Sequence, residues 1–194
     1  GHMEPLTRKW LDLCDRHGVL VVCEFPNFPD VQRLLKGCDL SPYERPLFWE
    51  NLKREAAGMI ACRANHPSIV AWSASNEGNG FGDWERANLV PHVKGLDPTR
   101  PVMLSADISA DFADTHNFNG NWFGTHADFE HMSRMLAGAY PERIVACSEF
   151  GQYQADAKWY GTEKLDRGNS QRTLDHALLL QEQMEALRRL RTLL

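Results

Sequence analysis

Apolar and polar positions along this chain switch repeatedly between a helical period and short continuous apolar runs. Leu6, Trp10, Leu11 and Leu13 recur at helical spacing, and Arg16-His17-Gly18 then supplies a basic last turn and a glycine stop. A helix is therefore predicted to end near residue 17. Val19-Leu20-Val21-Val22-Cys23 follows as an unbroken, mostly β-branched run, the pattern of a strand buried on both faces. Pro26 and Pro29 close it, and residues 26–42 read as loop. Ser41-Pro42 opens a longer helix with an apolar face through Phe48, Leu52, Ala56, Met59 and Ile60, ending near Asn65.

His66-Pro67 turns the chain into a second strand, Ile69 to Ser75. A helical stretch from about Asp83 to Lys94 is broken by Gly95, Pro98 and Pro101 ahead of a strand at Val102-Met103-Leu104. A short strand near Ala113 to Phe118, a helical segment from about Ala127 to Leu136 and a buried strand at Ile144-Val145-Ala146-Cys147 continue the alternation. Residues 151–169 read as a polar loop, and from Ser170 onward Leu174, Leu178, Met184, Leu187 and Leu190 among Glu, Gln and Arg predict one long amphipathic helix.

Strands alternating with helices at this period imply βα units on a parallel sheet, since parallel strands need a crossover that a helix provides. Two architectures fit: an open doubly wound sheet, or part of an eight-stranded (β/α) barrel. A glycine-rich phosphate loop between a strand and its helix would favour the first, and the sequence has none. At 194 residues with 43% hydrophobic content, one domain spanning residues 1–194 is expected.

Charge and composition narrow the partners. A net charge of −5 and a pI near 5.9 give no basic field for a phosphate backbone, so nucleic acid is not expected. No apolar run approaches the roughly 18 residues of a membrane span, and the N-terminus lacks signal-peptide order. Cys14, Cys23, Cys38, Cys62 and Cys147 are an odd number with no C-x-x-C pair, so free thiols are expected rather than disulfides or a zinc knuckle. That leans the reading towards a reducing compartment, the cytoplasm. His126 and His131 lack the spacing of a metal-binding helix, and neither metal nor cofactor is expected.

The strand ends carry acids. Glu24 follows the first strand, Glu77 the second, Asp107 the third, Asp114 and His116 flank the fourth, and Glu149 follows the fifth. A single polar residue after a strand is often only the N-cap of the next helix. Repetition at five strand ends favours a barrel, whose chemistry gathers at the carboxyl ends of its strands.

Four stretches resemble glycoside hydrolase family 2. "NHPSIVAWSASNE" (residues 65–77) is similar to that family's acid/base strand, and "LDPTRPV" (96–102) to the approach to the next strand. "CSEFG" (147–151) resembles its nucleophile strand, and "LDLCDRHGVLVVCEFP" (11–26) the helix-strand unit ahead of them. The matches come in family order. The resemblance implies a retaining glycosidase on a (β/α)8 TIM barrel, with Glu77 as general acid/base and Glu149 as nucleophile. A retaining site needs the two carboxyl groups about 5 to 5.5 Å apart, where both cannot be ionised cheaply, so one keeps its proton as the acid. Asn76 would donate to the sugar 2-hydroxyl, a contact that strengthens in the transition state.

The loop "DTHNFNGNWFG" offers His116, Asn117, Asn119 and Trp122, amides and an imidazole for hydroxyls and a flat face for a sugar ring. Trp159 and Glu24 complete the expected carbohydrate contacts. Family members often place a tyrosine near here that bonds the nucleophile, and Phe118 stands nearest with no hydroxyl. By comparison with the family, about five parallel strands are present and barrel strands one, two and eight have no counterpart, against the roughly 250 residues of a full barrel. Open sheet edges tend to pair, so a larger enzyme or a second copy is expected to cover them. The alternative to an active glycosidase is a catalytically silent carbohydrate-binding or interaction fragment of such a barrel.

Overall fold

The computed structural model describes residues 4–26, 44–76, 85–116, 126–149 and 181–191. They belong to two compact units, residues 1–112 and 113–194. All five predicted strands are present: β1 Val21–Glu24, β2 Ile69–Ser73, β3 Val102–Met103, β4 Phe112–Asp114 and β5 Ile144–Ala146. The helices are α1 Arg8–His17, α2 Glu44–Arg63, α3 Val90–Leu96, α4 His126–Ala139 and α5, residues 181–189. Residues 170–180 of the last predicted helix, and the predicted polar loop, lie outside the described residues.

In the first unit β1, β2 and β3 form one sheet in that order. Both pairings are parallel, with Cys23 opposite Trp72, Glu24 opposite Ser73 and Trp72 opposite Val102. The helices between them supply the crossovers that parallel pairing demands. Gly18 ends α1 in the left-handed conformation (φ 67°), where a side chain would be strained, and the chain turns directly into β1. The core gathers Leu11 of α1, Leu52, Ala56, Met59 and Ile60 of α2, and Val90 and Val93 of α3 with Cys23, Ile69, Trp72 and Val102 of the sheet. The predicted face of α2 is thus buried from Leu52 onward. On α1 the outcome differs: Leu11 is buried while Trp10 is 61% exposed and Leu13 is exposed too. Leu11 and the half-buried Cys14 form one stripe at i, i+3 that meets the core, and Trp10 with Leu13 forms another that does not.

Helix α3 is entered through a π-helical turn, Glu85–Leu89. Pro91, at the start of α3, has no N–H to return to the preceding turn, and the wider turn accommodates that lost bond. The helix passes through Gly95 and ends at Asp97, whose N–H bonds the Val93 carbonyl (2.9 Å). None of the described helices is long and apolar enough to cross a membrane.

Asp97 organises the approach to β3. The Trp72 indole N–H donates to its Oδ2 (2.9 Å), the Arg100 guanidinium to the same oxygen (2.7 Å), and the Thr99 N–H to Oδ1 (3.0 Å). Arg100 also donates to the carbonyls of Ala64 (2.8 Å), His66 (3.2 Å) and Ile69 (2.6 Å), tying the end of α2 and the start of β2 to β3. Burial opposes the charge on Asp97, but the donors Thr99, Trp72 and Arg100 outweigh it and hold the carboxyl well below the usual range. Asp15 ties α1 to the start of β2 in the same way, accepting from Ser68 N–H (2.9 Å) and pairing with His66 Nδ1 (2.6 Å). Ser68 is the first cause, with burial opposing and His66 adding, and together they lower its carboxyl from 3.8 to about 2.

In the second unit β4 pairs with β5. Thr115 N–H donates to the Ala146 carbonyl (2.9 Å) and Glu149 N–H to that of His116 (2.7 Å), contacts that advance together along both segments, as parallel chains do. Ala186 and Leu190 at the C-terminal end of the chain are buried with Cys147 packed against them, and Arg189 reaches Glu130 of α4 (2.8 Å).

Asp97→Ala leaves the buried Trp72 indole N–H without its acceptor and takes the carboxylate partner from the half-buried Arg100 guanidinium. It is expected to cost roughly 3 kcal/mol, seen as a lower urea midpoint at unchanged slope. Asp15 has a lower pKa folded than unfolded, so its stabilisation is complete above 3.8 and drains as pH falls towards about 2. Asp15→Asn is expected to flatten acid unfolding across that window, measured by circular dichroism against pH.

Candidate active site

The carboxyl edge of the first sheet presents Glu24 and Asn76. Glu24 ends β1 opposite Ser73, whose hydroxyl donates to its Oε2 (3.0 Å). Phe25 N–H bonds the Ser73 carbonyl, Ala74 N–H that of Met103 and Ser105 N–H that of Ser75, so the ladder continues past the strands up to Asn76. Asn76 is 4% exposed. Asp107, the acid after β3, pairs with Arg86 (2.8 Å) and accepts from Ser109 N–H (2.6 Å), so it braces its own turn.

The second unit holds a connected polar cluster. Three donors converge on the buried Asp114 carboxylate: His116 N–H (3.0 Å) and Ser148 N–H (2.9 Å) on Oδ1, and the Ser148 hydroxyl (2.7 Å) on Oδ2. The Ser148 oxygen in turn lies 3.1 Å from His116 Nδ1, and His116 Nε2 lies 3.0 Å from Glu149 Oε2. His116 is 4% exposed, whereas the Glu149 side chain keeps 27% of its surface open. Glu149 is therefore held and still reachable.

His116 has φ 59°, the left-handed region that non-glycine residues rarely adopt. The Asp114 carboxylate bonding the N–H two residues on makes that turn tolerable, and the His116 carbonyl receives Glu149 N–H. Strained backbone of this kind, worth of order 1 kcal/mol or more, collects at functional sites. Between the strand end and Glu149, the Cys147 thiol lies 3.7 Å from the His116 carbonyl and 3.5 Å from that of Glu149. Burial pushes this thiol up to about 12 against the Thr115 hydroxyl, with the charge of Asp114 adding to the rise.

His116 and Glu149 are thus in contact within one unit, and Glu24 and Asn76 share one sheet edge in the other. Glu77, Asn117, Trp122 and Trp159 lie outside the described residues. Sequence reasoning did not single out Ser148. Its signal was its place beside Glu149 in "CSEFG", where alternation along β5 gave it no expected partner. Asp114 was legible as a strand-end acid, though not as the acceptor that holds two strand ends together.

Comparison with known proteins gives this arrangement a family. A family model described as "Glycosyl hydrolases family 2, TIM barrel domain" matches residues 2–156. The chain belongs to that family. The beta-glucuronidase of Canis lupus familiaris is 31% identical over 138 residues, covering 66% of this chain and 20% of that protein. The human beta-glucuronidase is 24% identical over 164 residues, 76% of this chain and 24% of that protein. Among solved structures, a family 2 member from Bacteroides cellulosilyticus superposes with a TM-score of 0.54 at 26% identity, over 83% of this chain and 20% of that one. A Bacteroides uniformis beta-glucuronidase does so at 0.55 and 21% identity, over 73% and 19%. The chain thus spans about a fifth to a quarter of the curated relatives it matches. The parallel strands and flanking helices are those of a family 2 barrel domain, which decides between the two architectures the alternation allowed.

The thiol chemistry of the family 2 domain is checkable. Cys62 is exposed and Cys147 is not. At pH 8, iodoacetamide is expected to modify Cys62 within minutes while Cys147 remains unmodified, read by peptide mass spectrometry.

Proposed function

We propose that this chain carries the catalytic carboxylates of a retaining glycosidase acting on β-glycosides, with Glu149 as nucleophile and Glu77 as general acid/base. The observation that carries the reading is Glu149 itself. In a family 2 domain it stands just past the end of β5, gripped at one oxygen by a buried imidazole 3.0 Å away while part of its side chain stays open. A nucleophile needs that combination of fixed orientation and access.

In the first step the second carboxylate oxygen of Glu149 forms a bond to the anomeric carbon as the glycosidic C–O bond breaks. The departing oxygen keeps the electron pair and takes the proton of Glu77. The glycosyl ester removes one negative charge, and Glu77, now a carboxylate, accepts a proton from water as the water oxygen attacks the same carbon. The bond from that carbon to Glu149 breaks in the same step, and its electron pair restores the charge on Glu149. Asn76 donates to the sugar 2-hydroxyl, and Asn117, Trp122, Trp159 and Glu24 form the carbohydrate contacts. The burial of Asn76 at the sheet edge favours that role, because a buried amide without water to compete discriminates strongly among hydroxyl partners.

A panel of aryl β-glycosides, with the glucuronide included because relatives bear that name, tests the reading. Turnover is expected with retention of configuration, to vanish in Glu149→Gln, and an activated fluorosugar is expected to label Glu149. Glu77→Ala is expected to slow hydrolysis of poor leaving groups by roughly 10² to 10⁴, with azide restoring turnover as the β-glycosyl azide. Binding without turnover or labelling would overturn the proposal in favour of a silent carbohydrate-binding fragment.

A further inference from the structure

We infer that Asp114, Ser148 and His116 form a proton-ordering chain that makes His116 a fixed N–H donor to Glu149, so that His116 and Ser148 are positioning residues for the nucleophile. The inference rests on the assignment of Glu149 above, and it fills the role for which the sequence offered only Phe118.

Counting protons along the chain fixes its direction. Asp114 Oδ1 already accepts two backbone N–H groups, from His116 and Ser148, an arrangement that suits an acceptor-only carboxylate. The Ser148 hydroxyl has one proton, and its shorter contact, 2.7 Å, runs to Asp114 Oδ2. With that proton committed, the Ser148 oxygen can meet His116 Nδ1 at 3.1 Å only as an acceptor, so Nδ1 carries a proton. Nε2 can donate to the Glu149 carboxylate at 3.0 Å only if it carries a second ring proton, so the ring is an imidazolium held in one orientation between Ser148 and Glu149. The same serine whose N–H and hydroxyl both bind Asp114 is the residue before Glu149 in the chain. One carboxylate therefore sets the position of the nucleophile through the backbone and through the imidazole at once.

This geometry divides the work between the two oxygens of Glu149. Oε2, held by the imidazole, becomes the carbonyl oxygen of the glycosyl ester, and Oε1 makes the bond to carbon. An N–H pointed at Oε2 keeps the carboxylate from rotating while it waits, and the hydrogen bond weakens as charge leaves Glu149 in the ester. The donor is a ring locked by packing and by Ser148, so little reorganisation is needed during the reaction.

The test combines a spectroscopic readout with a chemical one on the full chain. In ¹⁵N-histidine-labelled protein, the His116 Nδ1–H is expected as a proton signal protected from exchange. It should be lost to exchange in Ser148→Ala and retained in Ser148→Thr, which keeps the hydroxyl. His116→Gly suits the left-handed backbone at this position, so it is expected to fold. Its kcat/KM for aryl β-glycosides is expected to drop roughly 10- to 100-fold, mainly through kcat, and added imidazole should restore part of it. A purely structural His116 would show no imidazole rescue. Either ring nitrogen found without a proton in the unmodified chain would overturn the relay, even if Glu149 is labelled and turnover proceeds. Absence of labelling with Nδ1–H protected would instead sink the hydrolase reading and leave the proton order standing.

Discussion

A carboxylate removed from water must be given other donors, and Asp114 is where this chain meets that requirement most fully. One backbone N–H reaches it from His116, two positions on, and a second N–H and a hydroxyl from Ser148, just past the end of β5. Replacing water by three fixed donors holds the charge in place, and the donors are held in return. The left-handed turn at His116, the approach of Ser148 and the backbone bond from Glu149 to His116 all follow from that one buried acceptor. The chemistry proposed for Glu149 depends on it through the backbone at Ser148 and through the imidazole of His116.

Asp97 solves the same problem at the start of β3. There the donors are an indole, a guanidinium and a threonine, and the consequence is architectural: α2, β2 and β3 are tied together at the end of the sheet away from Asn76. His66 and Asp15 add a second tie between α1 and β2. Much of what makes this sequence resemble its family, the His-Pro turn, the tryptophan of β2 and the Asp-Pro-Thr-Arg stretch, is therefore bracing for the sheet. The acidic residues at its other edge then emerge from strands whose register is set.

Acidic strand ends did not prove equivalent. Asp107 is bound by its own turn and by Arg86, and Glu24 by the serine opposite on β2. Asp114 is an internal acceptor, and Glu149 meets the ring of a buried histidine. Residue type and strand position alone place a carboxylate near a barrel mouth. The donors around it decide whether it serves as a brace, a support or a reactive group.

Elements were legible in the sequence because period and punctuation are local. Five strands and their helices stand where apolar runs, Gly18 and the prolines put them, and the entry of α3 deviated into a π turn at Pro91 through a local cause as well. Local pattern also exposed Glu149, Asp114 and His116 as polar residues after strands. It did not reveal that Trp10 and Leu13 stay outside the core or that the serine before Glu149 joins Asp114 to His116. Those facts depend on which side chains meet across 30 residues or more. Pairing at that distance is set by strand register and by competition among buried donors and acceptors, and neither is written in the spacing of residues along the chain.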